Sequence, residues 1–480
     1  MRWEKAHIGW LGAVLLLSLA CRKTGELLPN SPPDSYFVVD SIPLSGQQRL
    51  NSQVSLSWYG TDRDGYVTGF ELSEDGVNWR FTEQQDSLFK FALPSGNDSV
   101  DIELWLRSVD DKGAVDPDPA FLRIPVKNSP PQASFEQKAL PNDSVRSVVT
   151  FRWNYSDPDG AGSVVSAFLK VNQGSWTPID RNQALISLVL DPSASGVATA
   201  ELYYGTENNA SLTVDGLLAD APNQIYLKVQ DLAGSESPVD SSNVFFLRQK
   251  TSDLLMVGAQ PTSVRQAYTG LLDELNISYD IEDYHRNAAA DAPKFWDPGF
   301  RLLSGLYDKL FIYADPSTLP PNPVSGAEEP LLNLAASAIQ IFTDKGGKSL
   351  TTTSFTPTAD ITPLIGAFPI DQVISSPGQA RVVPDSGLYS VDSIAYPDLF
   401  PSSIDIGVDP FVRSADSELF YRARLTRLSG WNGDDLIASR RRRNGSINQI
   451  LFSIELHKYL GDRPAMLQLF DQIFNDDFDW

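Results

Sequence analysis

Hydrophobic and polar positions change their period twice along this chain. From about residue 33 to 248 the apolar residues alternate with polar ones. Val54, Leu56 and Trp58 are interleaved with Ser55 and Ser57, and Val149, Phe151 and Trp153 with Thr150 and Arg152. Period-2 alternation rich in β-branched and aromatic residues predicts half-buried strands, and the Pro, Asn, Asp and Gly clusters between them predict turns. From about residue 252 short apolar runs alternate with 3.6-period segments. Asp253–Gly258, Ser278–Glu282, Lys309–Tyr313, Lys348–Thr353 and Gln449–Ile454 read as strands. Thr262–Leu275, Leu331–Lys345 and Pro464–Asn475 read as helices, the second stopped by Gly346-Gly347. Strands alternating with helices predict a parallel, doubly wound α/β sheet.

The alternating region is duplicated. Asn30-Ser-Pro-Pro33 recurs as Asn128-Ser-Pro-Pro131, VSLSWYGTDRDG (Val54–Gly65) as VTFRWNYSDPDG (Val149–Gly160), and LRSVDDKG (Leu106–Gly113) as LKVQDLAG (Leu227–Gly234). The offset grows between the second and third blocks, so the second copy carries about two dozen extra residues, mostly within 177–224. The Trp on an early strand and the spacing of the strands resemble fibronectin type III or immunoglobulin-like sandwiches. With no second cysteine for a disulfide, each core rests on packing, and Trp58 and Trp153 are expected inside it.

The N-terminus reads as a targeting segment. A basic start, MRWEK, precedes a 13-residue apolar run, Ile8–Ala20, too short to span a bilayer. The run ends at Ser18-Leu19-Ala20-Cys21, with the single cysteine of the chain. This resembles a bacterial lipobox, whose cysteine becomes the diacylated mature N-terminus, although Ser18 stands where the lipobox usually has Leu; an ordinary signal peptide is the alternative. Arg22 replaces the Asp that usually signals inner-membrane retention. The resemblance therefore implies an outer-membrane, periplasm-facing lipid anchor. The domain reading is a signal peptide at 1–20, a tether at 21–32, sandwiches at 33–127 and 128–249, and an α/β domain at 252–480.

Composition narrows the chemistry. Thirty-eight Lys and Arg face 61 Asp and Glu, for a net charge of -23. A surface this acidic repels phosphate backbones and excludes nucleic acid as the natural partner. One cysteine excludes Cys-based zinc and redox pairs. The repeated acidic turns, Asp62, Asp64 and Asp110 in one copy and Asp157, Asp159 and Asp231 in the other, carry the hard oxygens that suit calcium. Turn chemistry, with the carboxylates bonding their own backbone, is the alternative.

In the last region, DLLMVG, YDKLFIYAD, IFTDKGGKSL and NGSINQILFSIELHKYLGDRPAMLQLFDQIF occur in an order that resembles the class I glutamine amidotransferase-like fold, a flavodoxin-like relative; residues 355–424 are loop-rich and lie outside that pattern. The catalytic version of the fold implies a cysteine after a central strand, where this chain has Thr353-Ser354-Phe355. A serine variant would draw on Ser354, His457 and Glu455. Ligands of open α/β sheets sit beyond the carboxyl ends of the strands, which marks Gly258, Ala259, Gln260, Asp315 and Ser354 as a pocket rim. Arg440, Arg441, Arg442 and Arg443 could grip an anionic group, or face the acidic surface of their own chain. These features predict a non-enzymatic, lipid-anchored envelope protein without a required cofactor, its sandwiches presenting the α/β domain to a protein or glycan. A serine hydrolase and an accessory lipoprotein for glycan uptake are the rival expectations.

Overall fold

The structure, a computed structural model, describes residues 29–38, 49–91, 93, 99–160, 162–285 and 293–480. The signal peptide, the lipidation site at Cys21 and most of the tether lie outside the described residues. The chain divides into two compact units.

The first unit contains the first sandwich. Asp34–Val38, Gln53–Thr61 and Asp86–Lys90 form a three-stranded antiparallel sheet. Arg80–Thr82, Val67–Ser73, Ser99–Asp110 and Ala120–Lys127 form a four-stranded one. Alternation along Gln53–Thr61 drives Val54, Leu56 and Trp58 inward, where they meet Phe70, Leu104, Leu106 and Ile124 of the facing sheet. Trp58 is 2% exposed and lies edge-on to Phe70 and Phe89.

The second unit holds the second sandwich and the C-terminal domain. Val148–Ser156 pairs with Gln132–Phe135 on one side and Leu185–Leu190 on the other. The extra residues of the second copy extend that sheet with Val197–Tyr204 and Leu212–Leu218, making five strands where the first copy has three. The opposite sheet pairs Thr177–Ile179, Val164–Val171, Ile225–Asp231 and Asp240–Ser241. Trp153 is 1% exposed in the shared core.

The C-terminal domain is built on eight strands: β1 (Leu254–Gly258), β2 (Asp280–Asp283), β3 (Lys309–Ala314), β4 (Lys348–Thr353), β5 (Leu388–Ser390), β6 (Ser417–Ala423), β7 (Leu436–Arg443) and β8 (Ser446–Phe452). Their order is β2-β1-β3-β4-β8-β7-β6-β5. The first five are parallel and the last three add antiparallel. Four α-helices lie among the described residues: α1 (Thr262–Glu274), α2 (Phe300–Ser304), α3 (Leu331–Asp344) and α4 (Arg463–Asp471). Leu254 and Met256 of β1 pack with α1 and α4, while Leu255 and Val257 pack with α2 and α3. Burial on both faces explains why β1 and β3 read as nearly unbroken apolar runs.

The expected α/β domain is therefore present only in part. Helices are fewer than a full strand–helix alternation requires, and two of the three antiparallel edge strands come from residues expected to be loop. Within 355–424, β5 and β6 join the main sheet, and Gln372–Val373 pairs with Phe411–Val412. β5 and the two strands of that pair are two or three residues long, and β6 pairs with register shifts, so none of them shows a sustained period to read.

Candidate functional site

Parallel strands put all their carboxyl ends on one edge of the sheet. The order reverses between β1 and β3, and such a switch point opens a crevice for ligands. There β1 delivers Gln260, β3 delivers Asp315, β4 delivers Ser354, and β8 leads into Glu455 and the short turn Leu456–Tyr459. Thr352 fixes that turn: its hydroxyl donates to the Ile454 carbonyl at 2.6 Å and accepts from the Leu456 N–H at 3.0 Å.

Glu455 is the hub. Its Oε1 accepts from Ser354 Oγ at 3.4 Å and from Gln260 Nε2 at 3.3 Å, and its Oε2 pairs with Lys458 Nζ at 2.8 Å. Lys458 also pairs with Asp405 at 3.0 Å, and Asp405 accepts from Tyr459 Oη at 3.4 Å. Against the cost of burial, Asp405 and Glu455 hold the Lys458 ammonium above its ordinary value. His457 turns away from this network. Its backbone N–H donates to Tyr268 Oη at 2.9 Å, and its ring meets the Tyr268 ring edge-on. Burial pushes the imidazole below its ordinary value, Glu455 opposes this and Lys458 adds to it. Among the described residues, His457 Nδ1 and Gln260 Oε1 are buried without a hydrogen-bond partner.

The structure thus brings Ser354 and Glu455 together and leaves His457 on the Tyr268 side. The free space beside Ser354 is about 70 Å3, bounded by Asp315, Leu331, Asn333 and Phe355. Small-molecule sites usually offer about 300–1,000 Å3. Gly258 belongs to packing: a Cβ there would lie 2.3 Å from Tyr313 Oη. Asp315 accepts from the Ser317 N–H at 2.7 Å, closing its own turn. Lys458 is i+3 from Glu455, a spacing visible in the sequence; Asp405 reaches the site from the stretch that showed no pattern.

The four arginines lie on β7 and are each bound within the chain. Arg440, 8% exposed, and Arg442 both reach Glu418, at 3.1 and 3.2 Å. Arg441 reaches Asp416 at 2.8 Å, and Arg443 reaches Asp344 at 3.1 Å. The β7–β8 turn, Asn444-Gly445, has positive φ at both residues, the hairpin geometry that Asn-Gly favours.

Five of the six repeated aspartates accept backbone N–H groups. Asp62 accepts from the Asp64 N–H at 3.2 Å, and Asp110 accepts from Lys112 N and Ala114 N, both at 2.8 Å. The repeated Asn-Ser-Pro-Pro segment supplies a further donor: the Ser31 N–H reaches Asp64 at 3.1 Å, and the Ser129 N–H reaches Asp159 at 2.8 Å. Asp231 accepts from the Ser235 N–H at 2.8 Å. In the first copy the Lys112 ammonium lies 3.4 Å from Asp64 and 2.8 Å from Asn30 Oδ1. The second copy has Ala233 at the matching position. Among the described residues no group of three or more His, Cys, Asp or Glu side chains is arranged to hold a metal ion, and Asp157 takes part in no such group.

No family model matches the chain, and no curated protein matches it. Solved structures align with parts of the chain. Fibronectin(III)-like modules of Clostridium thermocellum CbhA align at 15% identity over 45% of this chain and 95% of that one, with a TM-score of 0.18. A two-domain fibronectin type III segment of chicken tenascin aligns at 11% identity over 45% and 99%, with a TM-score of 0.19. Agd3, a carbohydrate deacetylase, aligns at 10% identity over 45% and 32%, with a TM-score of 0.25. At these values the sandwich assignment rests on the strand pairings described above.

Proposed function

We propose that this chain is a non-enzymatic binding or scaffold protein of the cell envelope, lipid-anchored at Cys21 and facing the periplasm from the outer membrane. Its C-terminal domain is then a descendant of the amidotransferase-like, doubly wound fold that has lost the nucleophilic cysteine. The observation that carries this reading is the state of the switch-point crevice. A working serine needs a base to take its proton. Ser354 donates instead to Glu455, whose charge Lys458 already neutralises, and His457 faces Tyr268. The free volume beside Ser354 admits a few waters rather than a substrate.

The test is turnover by the mature chain with glutamine and with generic ester and peptide substrates. No activity above background is expected. Activity abolished by both Ser354→Ala and His457→Ala would overturn the reading in favour of a serine hydrolase. The intact mass of the same preparation should correspond to a chain beginning at an acylated Cys21; an unmodified chain starting elsewhere would remove the anchor.

A glycan partner is favoured by one surface. On the outward face of the first sandwich, Phe81 and Phe121 are about half exposed, and Trp105 packs against Phe121 at 5.2 Å between centroids. The Arg107 guanidinium lies 3.9 Å over Trp79 and pairs with Glu71. Rings beside a planar ion pair are the groups that stack on sugars and bond their hydroxyls. Because the second sandwich shares a compact unit with the C-terminal domain, glycan-array binding is to be measured on the whole mature chain.

A further inference from the structure

A second cavity lies inside the second unit, where the second sandwich meets the C-terminal domain. Its volume is about 530 Å3, within the range of small-molecule sites, which favour domain junctions. The sandwich contributes Arg146 and Arg248. The C-terminal domain contributes Arg265 and Thr269 of α1, Tyr279, and the acidic run Asp280–Asp283 of β2. Three arginines line this cavity in a chain whose acids outnumber its bases 61 to 38.

Carboxylates share the wall, yet two of them are already supplied with donors. Asp280 accepts from the Thr251 N–H at 2.8 Å, the Ser252 N–H at 3.3 Å and Tyr307 Oη at 2.9 Å, and pairs with Arg146 Nη1 at 2.9 Å. Asp283 accepts from the His285 N–H at 3.0 Å, from Tyr313 Oη at 3.4 Å and from Arg265 Nη1 at 3.3 Å. Donors are left over. The Arg146 side chain is 10% exposed, its Nη1 is committed to Asp280 and the Gln249 carbonyl, and its Nε is buried without a partner among the described residues. A buried donor left unsatisfied is costly, and a native structure that retains one calls for an explanation.

We propose that this cleft binds a small ligand through a carboxylate group seated on the Arg146 and Arg265 guanidinium groups. A guanidinium offers a planar fork that matches a carboxylate bidentately. Three arginines set against Asp280, Glu282 and Asp283 leave the wall without the excess positive charge that a polyphosphate would need. Tyr279 and Thr269 give the remainder of the ligand a ring to lie against and a hydroxyl to meet. Two sources supply this chemistry, a free organic acid and the uronic-acid end of a glycan. The proposal goes beyond the reading above and stands whether or not the switch-point crevice is catalytic.

Titration calorimetry on the mature chain tests it with sodium glucuronate, sodium succinate and glucose. Heat from at least one of the two acids, with none from glucose, is the expected result. Tighter glucuronate binding assigns the sugar acid, and tighter succinate binding the free acid. Arg265→Gln, which leaves the Arg146–Asp280 pair intact, should weaken the bound acid about tenfold or more without a change in fold by circular dichroism; Arg248→Gln is the second variant. Equal binding of glucose and glucuronate would overturn the proposal. So would the absence of heat with either acid at millimolar concentration, or acid binding unchanged in both variants.

Discussion

At the scale of single residues, His457 links the crevice to pH. Its imidazole is pushed below the ordinary value of 6.5, first by burial, while Glu455, Asp405 and Asp315 oppose the shift and Lys458 reinforces it. A lowered folded value means that the unfolded chain takes up the proton first as pH falls. The unfolded state then binds more protons in the window below about pH 7, and stability is lost on acidification, with a slope of at most about 1.4 kcal/mol per pH unit for one proton. His457→Gln removes this term. Urea midpoints of wild type and variant, measured from pH 7.5 down to pH 5, are expected to converge as the wild type loses its advantage. Parallel curves would show that His457 does not sense pH.

At the scale of elements, the junction between the second sandwich and the C-terminal domain depends on a close approach. Gly299, just before α2, has ordinary backbone dihedrals, but a Cβ there would lie 2.3 Å from Thr150 Oγ1 and 3.0 Å from Val148 Cγ1. Gly299→Ala therefore overpacks a filled interface and should cost about 1–3 kcal/mol. Thr150→Ala makes room and is expected to recover part of that loss in the double variant, read from thermal denaturation. Additive losses would place the strain elsewhere. No pattern in the sequence announces this junction, because interface glycines and single polar residues have no period. The elements themselves were legible wherever a period ran long enough: the Trp58 and Trp153 strands cover the alternating residues and run on past them, and β1, α1, β3 and α3 stand within a residue of their expected bounds. At the crevice, Gln260, Asp315 and Ser354 follow from strand ends, which the apolar runs mark. Asp405 and Tyr268, which bond Lys458 and the His457 N–H, depend on three-dimensional approach across long separations, and so could not be read.

At the scale of the molecule, the duplication in the sequence does not set the division of the fold. Two similar sandwiches suggest two like modules followed by a third domain, yet the second sandwich shares a compact unit with the C-terminal domain. The reason is physical. Val148 and Val189 of the sandwich lie in one apolar cluster with Trp296, Phe300 and Leu303. Arg146 and Asp280 form an ion pair across the junction with side chains 10% and 2% exposed. Lys294 adds bonds to Asn142 and Asp143, both at 2.8 Å. Burial of this kind couples unfolding, whereas parts joined without it melt separately. Calorimetry of the mature chain is therefore expected to resolve two transitions, a smaller one for the first sandwich and a larger one for the second sandwich together with the C-terminal domain. Asp280→Asn leaves the buried Arg146 without its counter-charge. Removing one partner of a buried pair costs about 3–5 kcal/mol, which for a unit of this size moves the midpoint down by about 4–7 °C. Only the larger transition should move. Three transitions, or a substitution that shifts the C-terminal domain without the second sandwich, would show that the junction is a contact between independent domains.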